Sequence, residues 1–233
     1  MNYEELIWEY LISLGFTEEA AAGIMGNTHA ESANKPNNAQ NSGNAKTGLS
    51  DDQYTQKIDN DDHSYLCTKN GVKYYGQQAF IYDSIGYGLC QWTYWSRKKA
   101  LLEFAKKNKT SISNLYTQVD YLVKELKLYG LLNKIKKSKD IRYVTKIILT
   151  EFEKPASVIN KTEAQVEAVV DTRYNYSMTI YKKYHQSIEN DLETLVKYNV
   201  INSPDYWKNN AYKLEYLPTL YRNMAMILKE LCE

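Results

Sequence analysis

Ala20-Ala-Ala-Gly-Ile-Met-Gly-Asn-Thr-His-Ala-Glu31 is a helical run in which six of twelve residues are alanine or glycine. Each glycine weakens a helix by about 1 kcal/mol relative to alanine. The expected compensation is close approach by neighbouring helices at Ala20, Gly23 and Ala30. Thr17 is placed to cap the run, and Glu18 and Glu19 suit its first turn. Pro36 and a cluster of asparagines end it. Glu31 therefore stands where carbonyl dipoles disfavour a negative charge and where apolar packing would disfavour it further. That suits a side chain whose task is to give up a proton, although an ordinary exposed glutamate would also fit the position. His29-x-Glu31 has the form of a metal fragment only, and His29 reads as a wall residue.

Upstream, Leu6, Ile7, Tyr10, Leu11 and Leu14 share one helical face, which Gly15 terminates. Downstream, residues 34–82 are irregular. Asn34, Asn37, Asn38, Asn41 and Asn44 read as turns. Asp51, Asp52, Asp59, Asp61 and Asp62 form an acidic patch that lacks the glycine and closing glutamate of a calcium loop. Leu66-Cys-Thr-Lys-Asn-Gly-Val-Lys-Tyr-Tyr75 predicts a β-hairpin, because Asn70-Gly71 suits a type I′ turn.

A second stretch, Asp83-Ser-Ile-Gly-Tyr-Gly-Leu-Cys-Gln-Trp-Thr-Tyr-Trp-Ser-Arg97, complements the first. Gly86 and Gly88 let the backbone turn beside Tyr87 and approach a ligand. Gln91 can hydrogen-bond to a sugar hydroxyl or N-acetyl group. Trp92, Tyr94 and Trp95 offer flat faces for pyranose rings. Three aromatics in four positions cannot all face one core, so at least one is expected at the surface.

The rest reads as helices. Leu115, Val119, Leu122, Leu126 and Tyr129 keep helical spacing, as do Ile141, Val144, Ile148 and Phe152 before Pro155. Val166, Val169, Val170, Tyr174, Ser177 and Tyr181 mark a long helix. A polar stretch at residues 186–191 suggests a boundary, dividing the chain into 1–188 and a helical appendage, 189–233. In the appendage Leu217, Leu220, Met224, Ile227 and Leu231 share a side, and its size predicts that it docks on the main domain or a partner.

Charge is uneven despite a net value of +1. Residues 97–146 carry 14 basic and 4 acidic side chains, against 5 and 12 in residues 1–96. An anionic polymer such as cell wall or nucleic acid would meet that excess, but exposed helix faces solvated by lysine explain it more simply. Cys67, Cys90 and Cys232 match no zinc pattern and no disulfide framework. No apolar stretch reaches membrane-spanning length. The acidic N-terminal helix has no basic leading region, so export is expected to depend on a lysis system, a virion or another assembly. No nucleophile elbow or phosphate loop is present.

Ala22-Gly-Ile-Met-Gly-Asn-x-x-Ala-Glu-Ser32 followed by Gly86-Tyr-Gly-Leu-Cys-Gln-Trp-Thr93 resembles the phage tail lysozyme family. That family is similar in turn to goose-type lysozymes and soluble lytic transglycosylases. Arg97, Phe152-Glu-Lys-Pro155 and the Arg173-Tyr174 helix extend the likeness over residues 5–185. The resemblance implies an α+β, lysozyme-like fold, mostly helical with a small hairpin beside the cleft. It implies a peptidoglycan-cleaving glycosidase with Glu31 as acid and with Tyr87 and Gln91 lining the glycan groove. Two departures stand out: Ala33-Asn34-Lys35-Pro36, where such sequences run Gly-hydrophobic-Asn-Pro, and the long insertion from Thr47 to Tyr82. The C-terminal segment from Leu195 to Trp207 is similar to a helical appendage of clostridial-type wall enzymes, which implies wall contact.

The resulting expectation is muramidase action on the β-1,4 bond between N-acetylmuramic acid and N-acetylglucosamine, without metal or organic cofactor. Glu31 would be the acid and Asp83 the second carboxylate, with Asp51, Asp52, Glu151 and Glu153 as further candidates. Trp92, Tyr94, Trp95 and Arg97 join Tyr87 and Gln91 as candidate substrate contacts. Expected partners are glycan strands and phage tail or wall components, with neither nucleic acid nor membrane insertion. Lytic transglycosylation by the same acid and a non-catalytic tail or wall-binding role remain the alternatives.

Overall fold

The computed structural model describes residues 2–203, 205–207, 220–221, 223–225 and 227–228, with backbone alone for residues 41–42 and 186–189. Its helices are α1 (Tyr3–Ser13), α2 (Glu18–Ser32), α3 (Asn41–Thr47), α4 (Asp51–Asp59), α5 (Gly76–Tyr82), α6 (Trp95–Asn108), α7 (Leu115–Leu128), α8 (Leu132–Ile135), α9 (Ile141–Ile147) and α10 (Glu163–Lys197). A π-helical turn, Ile148–Glu153, follows α9. Strands β1 (Leu66–Lys69) and β2 (Val72–Tyr75) pair antiparallel, Leu66 opposite Tyr75 and Lys69 opposite Val72. Asn70 and Gly71 both have positive φ, 51° and 78°, as a type I′ turn requires. The architecture is the mostly helical α+β one that the sequence predicts.

The chain forms two compact units. The first gathers Met1–Ile7, Asn27–Leu132 and Glu151–Glu153; the second gathers Trp8–Gly26, Asn133–Thr150 and Lys154–Glu233.

The second unit is built by close helix approach. A Cβ on Gly23 would meet Val144 Cβ at 2.7 Å, and one on Gly26 would meet Ser177 Oγ at 2.0 Å and Ser177 N at 2.7 Å. Gly26, rather than the exposed Ala30, is thus the tightest point of α2. Thr17 Oγ1 accepts from Ala20 N at 3.2 Å and caps α2. Glu18 Oε2 meets His185 Nδ1 at 2.7 Å, and Trp8 stacks on Tyr184 with centroids 5.3 Å apart. The buried stripe of α10 is Val170, Arg173, Ser177, Ile180 and Tyr184, so Tyr174 and Tyr181 lie beside it, half-buried. The helix expected to run to Pro155 loosens after Ile147 into the π-helical turn, which Lys154 closes in the left-handed region. The expected boundary at residue 188 falls inside α10, which runs on to Lys197. Leu192, Leu195 and Tyr221 form a small core there, with Ile201, Trp207, Met224 and Leu228 packed against it. Leu217, Leu231 and Cys232 lie outside the described residues.

The first unit is stapled by polar groups. Its acidic patch is wholly engaged in fixing loops. Asp51 accepts from Ala39 N and Asn44 Nδ2. Asp52 accepts from Asn37 Nδ2 at 2.7 Å, and Asp59 from Ser111 Oγ and Ile112 N. Asp61 accepts from Gln77 N, and Asp62 from Lys57 Nζ and Ser64 N. Among the described residues no group of carboxylates, histidines and cysteines could hold a metal ion.

Candidate active site

Glu31 occupies the last turn of α2, half-buried, within the first unit. The chain reverses immediately after it: Ala33 and Asn34 both take left-handed backbone, φ 52° and 59°. Thr28 Oγ1 donates to Asn34 Oδ1 at 2.6 Å and fixes that reversal. Ala33 stands where the family pattern has glycine, in a conformation that costs a residue with a Cβ about 1–2 kcal/mol.

The neighbouring Ser32 joins the two sequence motifs. Its hydroxyl donates to Thr28 O at 3.0 Å and to Leu89 O at 3.1 Å. Residues 87–92 form a narrow turn, with Trp92 N donating to Tyr87 O at 3.0 Å and Tyr87 N to Trp92 O at 3.3 Å. Gly88 N donates to Asn38 O, and Gln40 N to Gly86 O. Gln118, fully buried, completes the frame. Its Oε1 accepts from Leu89 N at 2.9 Å, while its Nε2 donates to Pro36 O and Ile112 O. Gly88 has φ +73°, and a Cβ there would lie 2.5 Å from Gln118 Oε1. Glycine is thus required twice over, by conformation and by space.

Below the turn, Glu125 gathers four donors. It accepts from Trp92 Nε1 at 2.7 Å, from Arg97 Nε and Nη2 at 2.8 Å each, and from Tyr121 O–H at 3.2 Å. The Arg97 guanidinium also lies over the Phe152 ring, 4.8 Å from its centroid. Burial pushes the Cys90 thiol well up, and the charges of Glu153, Glu125 and Glu31 push it further against the opposing pull of Arg97. The thiol is therefore neutral.

The family profile of the phage tail lysozymes matches residues 2–184. The chain belongs to the phage tail lysozyme family. No curated protein and no solved structure matches it. As a phage tail lysozyme the protein is lysozyme-like and acts on peptidoglycan, at the bacterial cell wall. No helix among the described residues is long and apolar enough to cross a membrane.

Several candidate residues of this protein have surroundings other than the sequence predicts. Asp83 is buried. Its Oδ1 accepts from Lys98 Nζ at 2.5 Å and Ile85 N at 2.8 Å, and its Oδ2 from Tyr54 O–H at 2.5 Å and Tyr65 O–H at 2.7 Å. A carboxylate with four donors in place is a structural centre, with no lone pair left to attack a sugar. Lys98 is the exception among the exposed lysines of its region, at 0% exposure. Burial outweighs the attraction of Asp83 and pushes its ammonium down to about 8. Burial, aided by the charge of Asp83, pushes the Tyr54 and Tyr65 phenols up.

Tyr87 and Trp92 also belong to the core. Both are at 0% exposure, and the Tyr87 hydroxyl pairs with Thr55 Oγ1 at 2.6 Å. Neither presents a face to a sugar. Arg97 is committed to Glu125 and Phe152. Gln91, at φ 44°, donates through Nε2 to Asn38 O, Asn38 Oδ1 and Gly88 O, so it holds the turn. Tyr94 and Trp95 are exposed, 64% and 40%, with centroids 6.0 Å apart. Tyr82 continues their row, 6.3 Å from Trp95 and 4.3 Å from Tyr74.

Lys98, Gln118 and Glu125 went unnoticed in the sequence. Their signal was present: each sits at helical spacing among apolar residues, Lys98 with Leu101 and Leu102, Gln118 and Glu125 with Leu122. A polar side chain on an apolar stripe is either paired or misplaced.

Proposed function

We propose that the protein cleaves the β-1,4 bond between N-acetylmuramic acid and N-acetylglucosamine, with Glu31 as the general acid. The observation that carries this reading is the Ser32–Leu89 hydrogen bond, which ties the end of α2 to the glycine-rich turn. Around Glu31 the polar groups of that turn are engaged in holding backbone, and Glu31 itself is half-buried at their edge. The carboxyl would protonate the leaving oxygen as the sugar develops oxocarbenium character. Tyr94 and Trp95 supply the exposed faces for stacking, and the Gln91 turn sets the groove floor.

Glu31→Gln keeps the shape and removes the transferable proton. Clearing of purified Gram-positive sacculi should fall about a hundredfold to ten-thousandfold, with the melting temperature unchanged. Wild-type clearing by that variant would overturn the assignment.

A second reading, lytic transglycosylation by the same acid, gains support from the saturation of Asp83. Hydrolysis needs a second carboxylate, whereas transglycosylation uses the sugar's own C6 hydroxyl. Glu151 and Glu153, which lie in the same unit as Glu31, are then the candidates for that second carboxylate. Mass spectrometry of digested sacculi separates the two. Reducing muramic ends mean hydrolysis; ends lacking one water mean the 1,6-anhydro product. Glu151→Gln or Glu153→Gln should abolish clearing only in the hydrolytic case.

A further inference from the structure

The insertion that departs from the family pattern encloses a cavity of about 470 Å³ within the first unit. Its walls come from the end of α3, from α4 and from β1, and its floor is Asp83 and Ile85. Gly43 permits this arrangement: a Cβ there would lie 2.4 Å from Ile85 Cγ2. Glu31 and the glycine-rich turn do not line the cavity.

The lining chemistry is specific in sign. Asp83 is neutralised by Lys98, and the Lys57 ammonium is held by Asp62 and Ser64. Lys46 is exposed at the rim and makes no ion pair among the described residues. The half-buried Cys67 thiol lines the cavity with Lys46, and burial and the charge of Asp83 push that thiol up. Thr68 adds an exposed hydroxyl, and Leu49 and Leu66 add aliphatic surface. The one aromatic ring in the lining, Tyr65, is buried and turned to Asp83, so no face is offered to a sugar ring or a base. A surplus cation, hydroxyl donors and small aliphatic walls together suit a short anionic peptide with aliphatic side chains.

We infer that this cavity binds the peptide stem of peptidoglycan, with Lys46 meeting a stem carboxylate. The inference rests on the proposed action on muramyl glycan and names what its insertion would recognise. The insertion would then sort substrate by peptide substitution, while the exposed Tyr94 and Trp95 meet the sugar chain.

Cys67 provides the readout. In the full chain carrying Glu31→Gln and Cys232→Ser, the half-buried Cys67 is the accessible thiol, because Cys90 is buried. A soluble N-acetylglucosaminyl-N-acetylmuramyl tripeptide should slow Cys67 alkylation several-fold, and the peptide-free disaccharide should not. Lys46→Ala, a change at an exposed side chain, should weaken that protection about two- to fivefold, the share of an exposed ion pair. Equal protection by the disaccharide, equal protection by glycerol phosphate, or no effect of Lys46→Ala would each overturn the inference. Sacculus clearing by the chain with Glu31 intact is scored separately. Its absence beside intact tripeptide protection would remove the glycosidase reading and leave peptide binding standing.

Discussion

The two units of this protein solve the problem of a well-defined interior in opposite ways. The helical unit brings backbones together at Gly23 and Gly26, with one buried hydroxyl pair, Thr145 with Ser177, at the same contact. The unit carrying Glu31 buries charge: Lys98 with Asp83, and Arg97 with Glu125. Close packing carries most of the fit where regular helices meet. Long irregular connections have no ridges and grooves to interlock, so Asp51, Asp59, Asp83 and Gln118 hold their backbone by directed hydrogen bonds. The second solution positions atoms more finely and leaves more to lose.

The sharpest way to break the comparison is Lys98→Met. It leaves Asp83 buried without its cation, a change that costs about 3–5 kcal/mol. Adding Asp83→Asn should recover most of the loss in a double-mutant cycle followed by urea unfolding. Additive losses would mean that the pair is not the coupled centre described.

Alkaline pH probes the same unit. Tyr54, Tyr65, Tyr87 and Tyr121 all have phenols raised above 10 by burial first. Above pH 10 the unfolded chain releases those protons while the folded chain keeps them, so stability falls. The slope approaches about 1.4 kcal/mol per pH unit for each fully buried phenol. Lys98 acts in the other direction. Its folded value of about 8 lies below its unfolded one, so its penalty is relieved between about pH 8 and 10.5. Stability should therefore hold or rise slightly to pH 10 and then drop. Tyr54→Phe should flatten the drop, and an unchanged curve would contradict it.

In the helical unit the corresponding probe is Gly26→Ala. Its Cβ meets backbone atoms, Ser177 N at 2.7 Å and Arg173 O at 2.8 Å, as well as the Ser177 hydroxyl. The expected cost is about 1–3 kcal/mol, and Ser177→Ala should not relieve it. Rescue by that second change would show that only the hydroxyl was in the way.

The smallest effect expected is a gain. Ala33→Gly removes left-handed strain of about 1–2 kcal/mol but loosens the unfolded chain by about 0.4–1 kcal/mol. Thermal unfolding should show net stabilisation of between zero and about 1.6 kcal/mol, with clearing activity retained.

The sequence made local features legible. Asn70-Gly71 announced the hairpin because a type I′ turn depends on two adjacent residues, and the run to Glu31 announced its helix by composition and caps. Which small residue is tightest was not legible: Gly26 and Ala30 look alike until α10 lies against one of them. Trp92, Tyr94 and Trp95 were indistinguishable for the same reason, since only Glu125, contributed by a distant helix, draws one of the three inward. Asp83 looked available because its four donors lie at positions 54, 65, 85 and 98, and no spacing rule connects them.

Gln118 carries a consequence for the order in which the chain matures. Its amide bonds Pro36 across 82 residues and Leu89 across 29. Synthesis delivers Glu31 and the reversal after it early, yet the brace between Pro36 and Leu89 arrives with α7. Contacts so far apart form only after the intervening chain has been closed into a loop. The segment that follows Glu31 is thus made early and tied to the glycine-rich turn late.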